Sequence, residues 1–419
     1  MEITTLSPAE LGSLHADLQS RYQAFVAEKL SLDLTRGKPA PEQLDLSNAL
    51  DGILEGFFLL QDGTDVRNYG GLLGIPEARA LGAALLGTTP AETMAGGNSS
   101  LSLMYAYVDF MLRGAWAGAP VKFLCPVPGY DRHFTICEHF GIEMINVPLL
   151  DTGPDMDMIE DLVTADASIK GIWCVPKYSN PTGHTYSKAT VERMAQLARH
   201  AGEHFRIMWD NAYVVHDLTE APDSLENLMP LAHAAGTADS VVMLASTSKI
   251  TFAGAGVAFL GTSTGNLAAF EKFLSASVIG FDKVNQLRHV RFLPDLNAIK
   301  QHMEKHQAII KPRFDIVQEA LTRELDGKGI ASWTTPNGGY FISLDTLPGL
   351  ASQVVKLAAE AGVKLTPAGA TFPYGKDPAN TNIRIAPTFP STSQLRKAVE
   401  VLVVCIQLAT VTMLLARQT

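Results

Sequence analysis

Charge is scarce in this chain. Asp, Glu, Lys and Arg make up only 18% of its 419 residues, against 47% hydrophobic. That balance excludes a disordered, solvating polypeptide and leaves apolar surface for a large core and a subunit interface. Positive charge is the scarcer sign, 33 Lys and Arg against 43 Asp and Glu, for a formal net charge of -10. Nucleic-acid backbones and anionic membranes select basic faces, so neither is an expected partner. Cysteine is rare too. Cys125, Cys137, Cys174 and Cys405 show neither CxxC nor Cys/His ligand spacing, which argues against a disulfide scaffold or a metal site and for buried free thiols in a reducing cytoplasm. Repeats, low-complexity tracts and long Pro/Ser linkers are absent.

Long hydrophobic runs are equally few. The first 25 residues, MEITTLSPAELGSLHADLQSRYQAF, lack a signal peptide's apolar core and read as a capped helix. The most apolar stretch, VEVLVVCIQLATVTMLL (399–415), is interrupted by Glu400 and Gln407. It falls short of a span of ~20 residues and reads as a packed C-terminal helix.

Alternation fills the middle of the chain. Short β-rich runs at 121–127, 143–150, 170–176, 205–210, 239–247 and 256–262 are separated by helical patterns, such as the one over 187–205. Strands alternating with helices imply βαβ units and a mainly parallel mixed sheet, whose ligands bind beyond the strand C-termini. From about residue 296 a long helical stretch and then ASWTTPNGGYFISLD suggest a second, smaller α/β domain. The expected division is an N-terminal segment, 1–50, belonging to the small domain, a large domain, 51–295, and a C-terminal small domain, 296–419.

Four features fall at strand ends or a helix start. GGNSSLSLMYAY (96–107) runs glycines and hydroxyls into an amphipathic helix; its first N–H groups with Ser99 and Ser100 suit a phosphate, though the same residues make an ordinary cap. Tyr178-Ser-Asn-Pro-Thr-Gly183 is turn chemistry that places the Asn180 carboxamide at the sheet's ligand edge. Asp210 ends the apolar run FRIMWD, where a carboxylate holds a cationic partner strongly, and Tyr213 follows. Lys249 stands alone in STSKITFAGAG, flanked by Ser246 and Ser248, with no other charge between Asp239 and Glu271. A lysine desolvated in an apolar cleft has a lowered pKa and attacks aldehydes. An imine-forming amine, an acid for a pyridinium nitrogen and a phosphate cradle together describe the ends of pyridoxal 5′-phosphate.

With YGGLLGIPEAR (69–79), PGY (128–130) and NIRIAP (382–387) added in order, the sequence resembles the fold-type I PLP-dependent aminotransferases of class I/II over nearly its whole length. The wording of TRGKP, YGGLLG, PKYSNPTG and SKITFAGAG is similar to the subgroup Ic aspartate aminotransferases, a MocR-like branch without a DNA-binding domain. The resemblance implies a homodimer with active sites at the interface and a lysine internal aldimine at Lys249. It implies Asp210 against the pyridine nitrogen, Tyr213 and Asn180 on the ring oxygen, and Tyr130 stacked on the ring. Ser99, Ser100, Ser246 and Ser248 would line the phosphate pocket, and Tyr69 would reach the phosphate of the neighbouring subunit. Arg384 would grip the substrate α-carboxylate, with Arg36 or Lys38 near a distal acid. One departure stands out: relatives carry G-x-R-x-G after the lysine, and Gly256 here occupies the arginine position.

The activity implied is transfer of an amino group from aspartate or glutamate to 2-oxoglutarate. A PLP-dependent β-lyase or decarboxylase uses the same scaffold, because fold does not fix reaction type. A ligand-sensing regulator is the remaining alternative; it requires a DNA-binding domain ahead of the aminotransferase-like part, and the motifs already begin near Arg36.

Overall fold

The computed structural model describes residues 2–417. Among them are thirteen strands: β1 (Leu32–Asp33), β2 (Thr93–Ala95), β3 (Lys122–Val127), β4 (Glu143–Leu150), β5 (Gly153–Pro154), β6 (Ile169–Cys174), β7 (Arg206–Asp210), β8 (Val241–Ser246), β9 (Ala258–Thr262), β10 (Ala331–Trp333), β11 (Ile342–Thr346), β12 (Val363–Lys364) and β13 (Asn382–Ile385). Eight form one sheet in the order β2-β9-β8-β7-β6-β3-β4-β5. β3, β4, β6, β7 and β8 run parallel, whereas β9 is antiparallel to both β8 and β2, and β5 to β4. All of β7 is buried, as is β8 up to Ala245. Burial on both faces explains why these strands read as continuous apolar runs rather than alternating ones.

The order reverses between β3 and β6: from β3 the chain steps outward to β4, and from β6 it steps the other way to β7 and β8. Such a reversal opens a crevice beyond the strand C-termini. Tyr130, Asn180, Asp210 and Lys249 all lie at or just after those ends.

A second core gathers around the antiparallel sheet β10-β11-β13. Helices Pro8–Ala27 and Leu296–Leu325 both pack on Thr392–Ala416. The N-terminal helix starts with the expected cap, a Ser7–Glu10 capping box with Pro8 in the first turn. The chain then returns to the second core by pairing Leu32 with Val363. Thr392–Ala416 is long and apolar enough to cross a membrane, but 72% of its most apolar window is buried inside the protein, with Val399 and Val401–Val411 wholly interior. All four cysteines are buried with free thiols.

One helix is shorter than expected. The pattern over 187–205 yields Lys188–Gln196 and a single 3-10 turn, Leu197–Arg199. The chain leaves the helix ahead of the poor helix former Gly202, and the Arg199 guanidinium folds onto the Ala235 carbonyl.

Candidate active site

Lys249 sits three residues past the end of β8, in a tight turn where the N–H groups of Ile250 and Thr251 both donate to the Thr247 carbonyl at 2.8 Å. Its Nζ stands 4.9 Å from the Tyr213 ring centroid and 5.8 Å from that of Tyr340. Two imidazoles brace the backbone of this turn. His216 Nε2 lies 3.3 Å from the Lys249 carbonyl oxygen, and His302 Nε2 lies 2.8 Å from that of Ile250. Burial, reinforced by the Lys249 charge, drives the His216 pKa down to about 3. That ring is therefore neutral, with its proton on the nitrogen that donates. The Lys249 side chain opens on a cavity of about 560 Å³ whose lining includes Arg36, Tyr130, Asn180, Tyr213 and Arg384.

Asp210, the last residue of β7, is 2% exposed. One carboxylate oxygen meets His133 Nε2 at 3.1 Å; the other is buried without a partner. His133 is itself fixed by stacking on Trp173, 4.4 Å between centroids and 9° between planes. A buried oxygen with no donor is costly in a native fold, and the protonated nitrogen of a pyridine ring is a donor of the kind it lacks. Burial pushes the Tyr130 hydroxyl up to about 12, with the Lys249 charge pulling the other way. Tyr213 is raised by burial and then by the Asp210 charge, while the Asn180 side chain lowers it. Lys249, Tyr130, Tyr213, Asn180 and Asp210 therefore share one electrostatic neighbourhood, and the donor set fits PLP.

The helix Ser100–Arg113 follows β2, with Ser99 at its N-cap. Here the capping alternative fails: Ser187 and Ser391 accept from the N–H three residues on, whereas the Ser99 hydroxyl makes no capping bond. The Ser248 hydroxyl donates to the Asn98 carbonyl at 3.0 Å, tying the turn around Lys249 to the helix start. Ser246 accepts from Ser248 N–H at 3.4 Å. A Cβ on Gly256 would lie 2.9 Å from the Ser248 nitrogen and 3.1 Å from its Oγ, so that packing leaves no room for the arginine of the G-x-R-x-G pattern. The Lys283 amine donates to the Gly70 carbonyl at 2.6 Å.

Arg384, on β13, is 6% exposed and reaches the same cavity from the second core. Its Nη1 donates to Asp131 at 3.0 Å and to Asn180 at 3.3 Å, and its Nη2 to Thr366 Oγ1 at 3.3 Å. Its Nε is buried with no partner. The Phe341 ring lies 4.9 Å beneath the guanidinium. Gly37 of TRGKP lets the N-terminal segment cross that ring, since a Cβ there would come within 2.5 Å of it. Arg36 and Lys38 flank Gly37 at the mouth, and Lys38 Nζ sits 3.8 Å over Phe389. Tyr69 does not line this cavity in the single chain; it is 85% exposed, beside another pocket that includes Gly280 and Lys283.

Sequence reasoning did not single out His133, Asp131, His216, Tyr340 or Phe341. The first two lie inside PGYDRHF, three and one residues past Tyr130, yet nothing in the sequence pairs them with Asp210 or Arg384. Those pairings span 77 and 253 residues.

A crevice at the reversal of a parallel sheet, with a strand-end lysine and acid facing an arginine from a second sheet, is the architecture of the fold-type I aminotransferases. A family model described as aspartate amino-transferase matches residues 6–418, and the chain belongs to that family. It is 44% identical over 410 residues to an aspartate aminotransferase of Corynebacterium glutamicum, covering 95% of this chain and 94% of that one. A Mycolicibacterium smegmatis protein with a provisional aminotransferase name is 50% identical over 420 residues, 98% of each. Among solved structures, an aspartate transaminase from Corynebacterium glutamicum superposes with a TM-score of 0.95 at 42% identity, covering 99% of both chains. The protein is thus an aminotransferase related to aspartate aminotransferases. At 23% identity, the α-aminoadipate aminotransferase LysN of Thermus thermophilus shares the fold, with a TM-score of 0.75 over 95% of this chain and 98% of that one; it was solved with N-(5′-phosphopyridoxyl)-L-leucine.

Proposed function

We propose that the protein carries PLP on Lys249 and moves the amino group of L-aspartate or L-glutamate to 2-oxoglutarate. The observation that carries this reading is the unpartnered, buried Asp210 oxygen beside a cavity that holds both the Lys249 amine and the Arg384 guanidinium. PLP, when bound, supplies an electron sink for the carbanion left when Cα loses its proton. Lys249 Nζ is the base that takes that proton and returns it on the way to product. Asp210, oriented by His133, would keep a proton on the pyridine nitrogen. Asn180, whose carbonyl oxygen accepts from Arg384, would have its NH2 free for the ring oxygen along with Tyr213. Tyr130 would cover the ring face.

Ser99, Ser100, Ser246, Ser248 and the first N–H groups of Ser100–Arg113 hold the phosphate without an arginine. Arg384 grips the α-carboxylate with its planar fork. For a distal acid the cavity lining offers three exposed cations, Arg36, Lys38 and Arg132, of which Lys38 also rests over the Phe389 ring. We also propose a homodimer in which Tyr69 completes the partner's phosphate site, with residues 51–295 carrying the cofactor and 1–50 with 296–419 closing over the substrate.

A spectral screen of the twenty amino acids against the PLP form tests this reading. L-Aspartate or L-glutamate should bleach the lysine-linked visible band, and 2-oxoglutarate should restore it; a band that none of the twenty alters would overturn the proposal. Lys249→Ala should lose that band and lower turnover by about 10³-fold or more. Retention of either rules Lys249 out.

A further inference from the structure

We infer that Asp131 is a built-in, displaceable counter-ion that occupies Arg384 when no substrate is bound and weakens the binding of every substrate carboxylate. The inference rests on the reading of Arg384 as the α-carboxylate grip. A dicarboxylate enzyme has no chemical need for a carboxylate of its own against that guanidinium, yet Asp131 Oδ1 lies 3.0 Å from Arg384 Nη1. The two partners differ in freedom. The Arg384 side chain is 6% exposed and held by Asn180, Thr366 and Phe341, whereas that of Asp131 is 36% exposed and lines the open cavity. When a substrate carboxylate arrives, Asp131 is therefore the group that moves.

Release costs Asp131 little. It is the first residue of the helix Asp131–Phe140, where the helix's positive end favours a carboxylate whether or not it has a counter-ion. Arg384, by contrast, would be a buried cation short of a counter-charge if Asp131 were absent. The Asp131 carboxylate satisfies the guanidinium in the empty enzyme, and a substrate must exchange one ion pair for another instead of gaining a new one. The exchange acts on ground state and transition state alike, so it sets KM and leaves kcat nearly untouched. It acts equally on the amino acid and the oxo acid, which present the same α-carboxylate, and it keeps either product from staying bound to the arginine.

The test uses the PLP-loaded enzyme, Asp131→Asn and Asp131→Ser, and Arg384→Lys, with melting temperatures confirming that each variant is folded. Both neutral Asp131 variants should lower KM for L-aspartate and for 2-oxoglutarate together by about tenfold, with kcat changed by less than about threefold. Calorimetric titration with succinate, which has two carboxylates but neither an amino nor a keto group, should show the same tightening. A side chain that merely supports the site would raise both KM values when removed. Raised or unchanged KM in both neutral variants, with weakened substrate binding in Arg384→Lys, overturns the role of Asp131 and leaves Arg384 in place. If Arg384→Lys binds succinate and both substrates as tightly as wild type, the reading of Arg384 is what fails.

Discussion

At Gly256 a single missing Cβ shapes the proposed phosphate site. An alanine there would press within 2.9 Å of the Ser248 nitrogen and 3.1 Å of its Oγ, and that hydroxyl holds the Asn98 carbonyl next to Ser99. The strain therefore passes directly to the helix start proposed to cradle the phosphate. Gly256→Ala should raise the dissociation constant for PLP by about tenfold, with little change in kcat at saturating cofactor, as read by titrating the cofactor-free protein with PLP. An unchanged constant would place the phosphate elsewhere. The sequence marked this position as a departure, but only as a lost charge. That the site also lacks room for a side chain depends on how the 246–256 turn folds back on itself, which no local pattern encodes.

Among the elements, Leu296–Leu325 carries a feature its sequence hides. His302 and His306, one turn apart in KQHMEKHQAII, look like the polar face of a solvated helix, yet both are buried. His306 Nδ1 accepts from Gln43 Nε2 at 3.0 Å, and His302 Nε2 lies 3.3 Å from Ser47 Oγ, contacts more than 250 residues apart that periodicity cannot reveal. The β-rich runs of the large sheet were legible for the opposite reason: burial on both faces leaves an unbroken apolar signature. Short elements such as β1 and β2, whose pairing comes from distant partners, left none.

Burial lowers the pKa of both helix histidines, that of His306 to about 4, with its neighbour His302 adding to the effect; Lys305 adds to the lowering at His302. Unfolded imidazoles take up protons below about 6.5, and the folded ones refuse them until lower pH. The stability contributed is present above pH 6.5 and is lost as pH falls toward 4, by about 1.4 kcal/mol per pH unit for each group that protonates only on unfolding. Urea unfolding at pH 7, 6, 5 and 4 should show this slope, and His306→Gln should reduce it by close to one proton. An unaltered slope would show that His306 titrates normally in the fold.

For the whole molecule, the position of Tyr69 decides between a complete site in one chain and a site shared by two. Tyr69 is 85% exposed in a chain that also exposes Phe57, Leu59 and Ile279, and exposed apolar surface, where it is contiguous, marks an interface. It also lies apart from the cavity around Lys249 in its own chain. If Tyr69 serves the partner's phosphate, Lys249→Ala and Tyr69→Ala damage different halves of the same composite site. Mixing the two variants after dissociation should then restore activity that neither has alone. Random pairing places both defects in one site of each mixed dimer and leaves the other site intact, so recovery should approach about a quarter of the wild-type value. Sedimentation of the unmixed protein should give a dimer. A dimer without recovery would mean that each chain builds its own site, and a monomer that turns over normally would remove Tyr69 from the chemistry altogether.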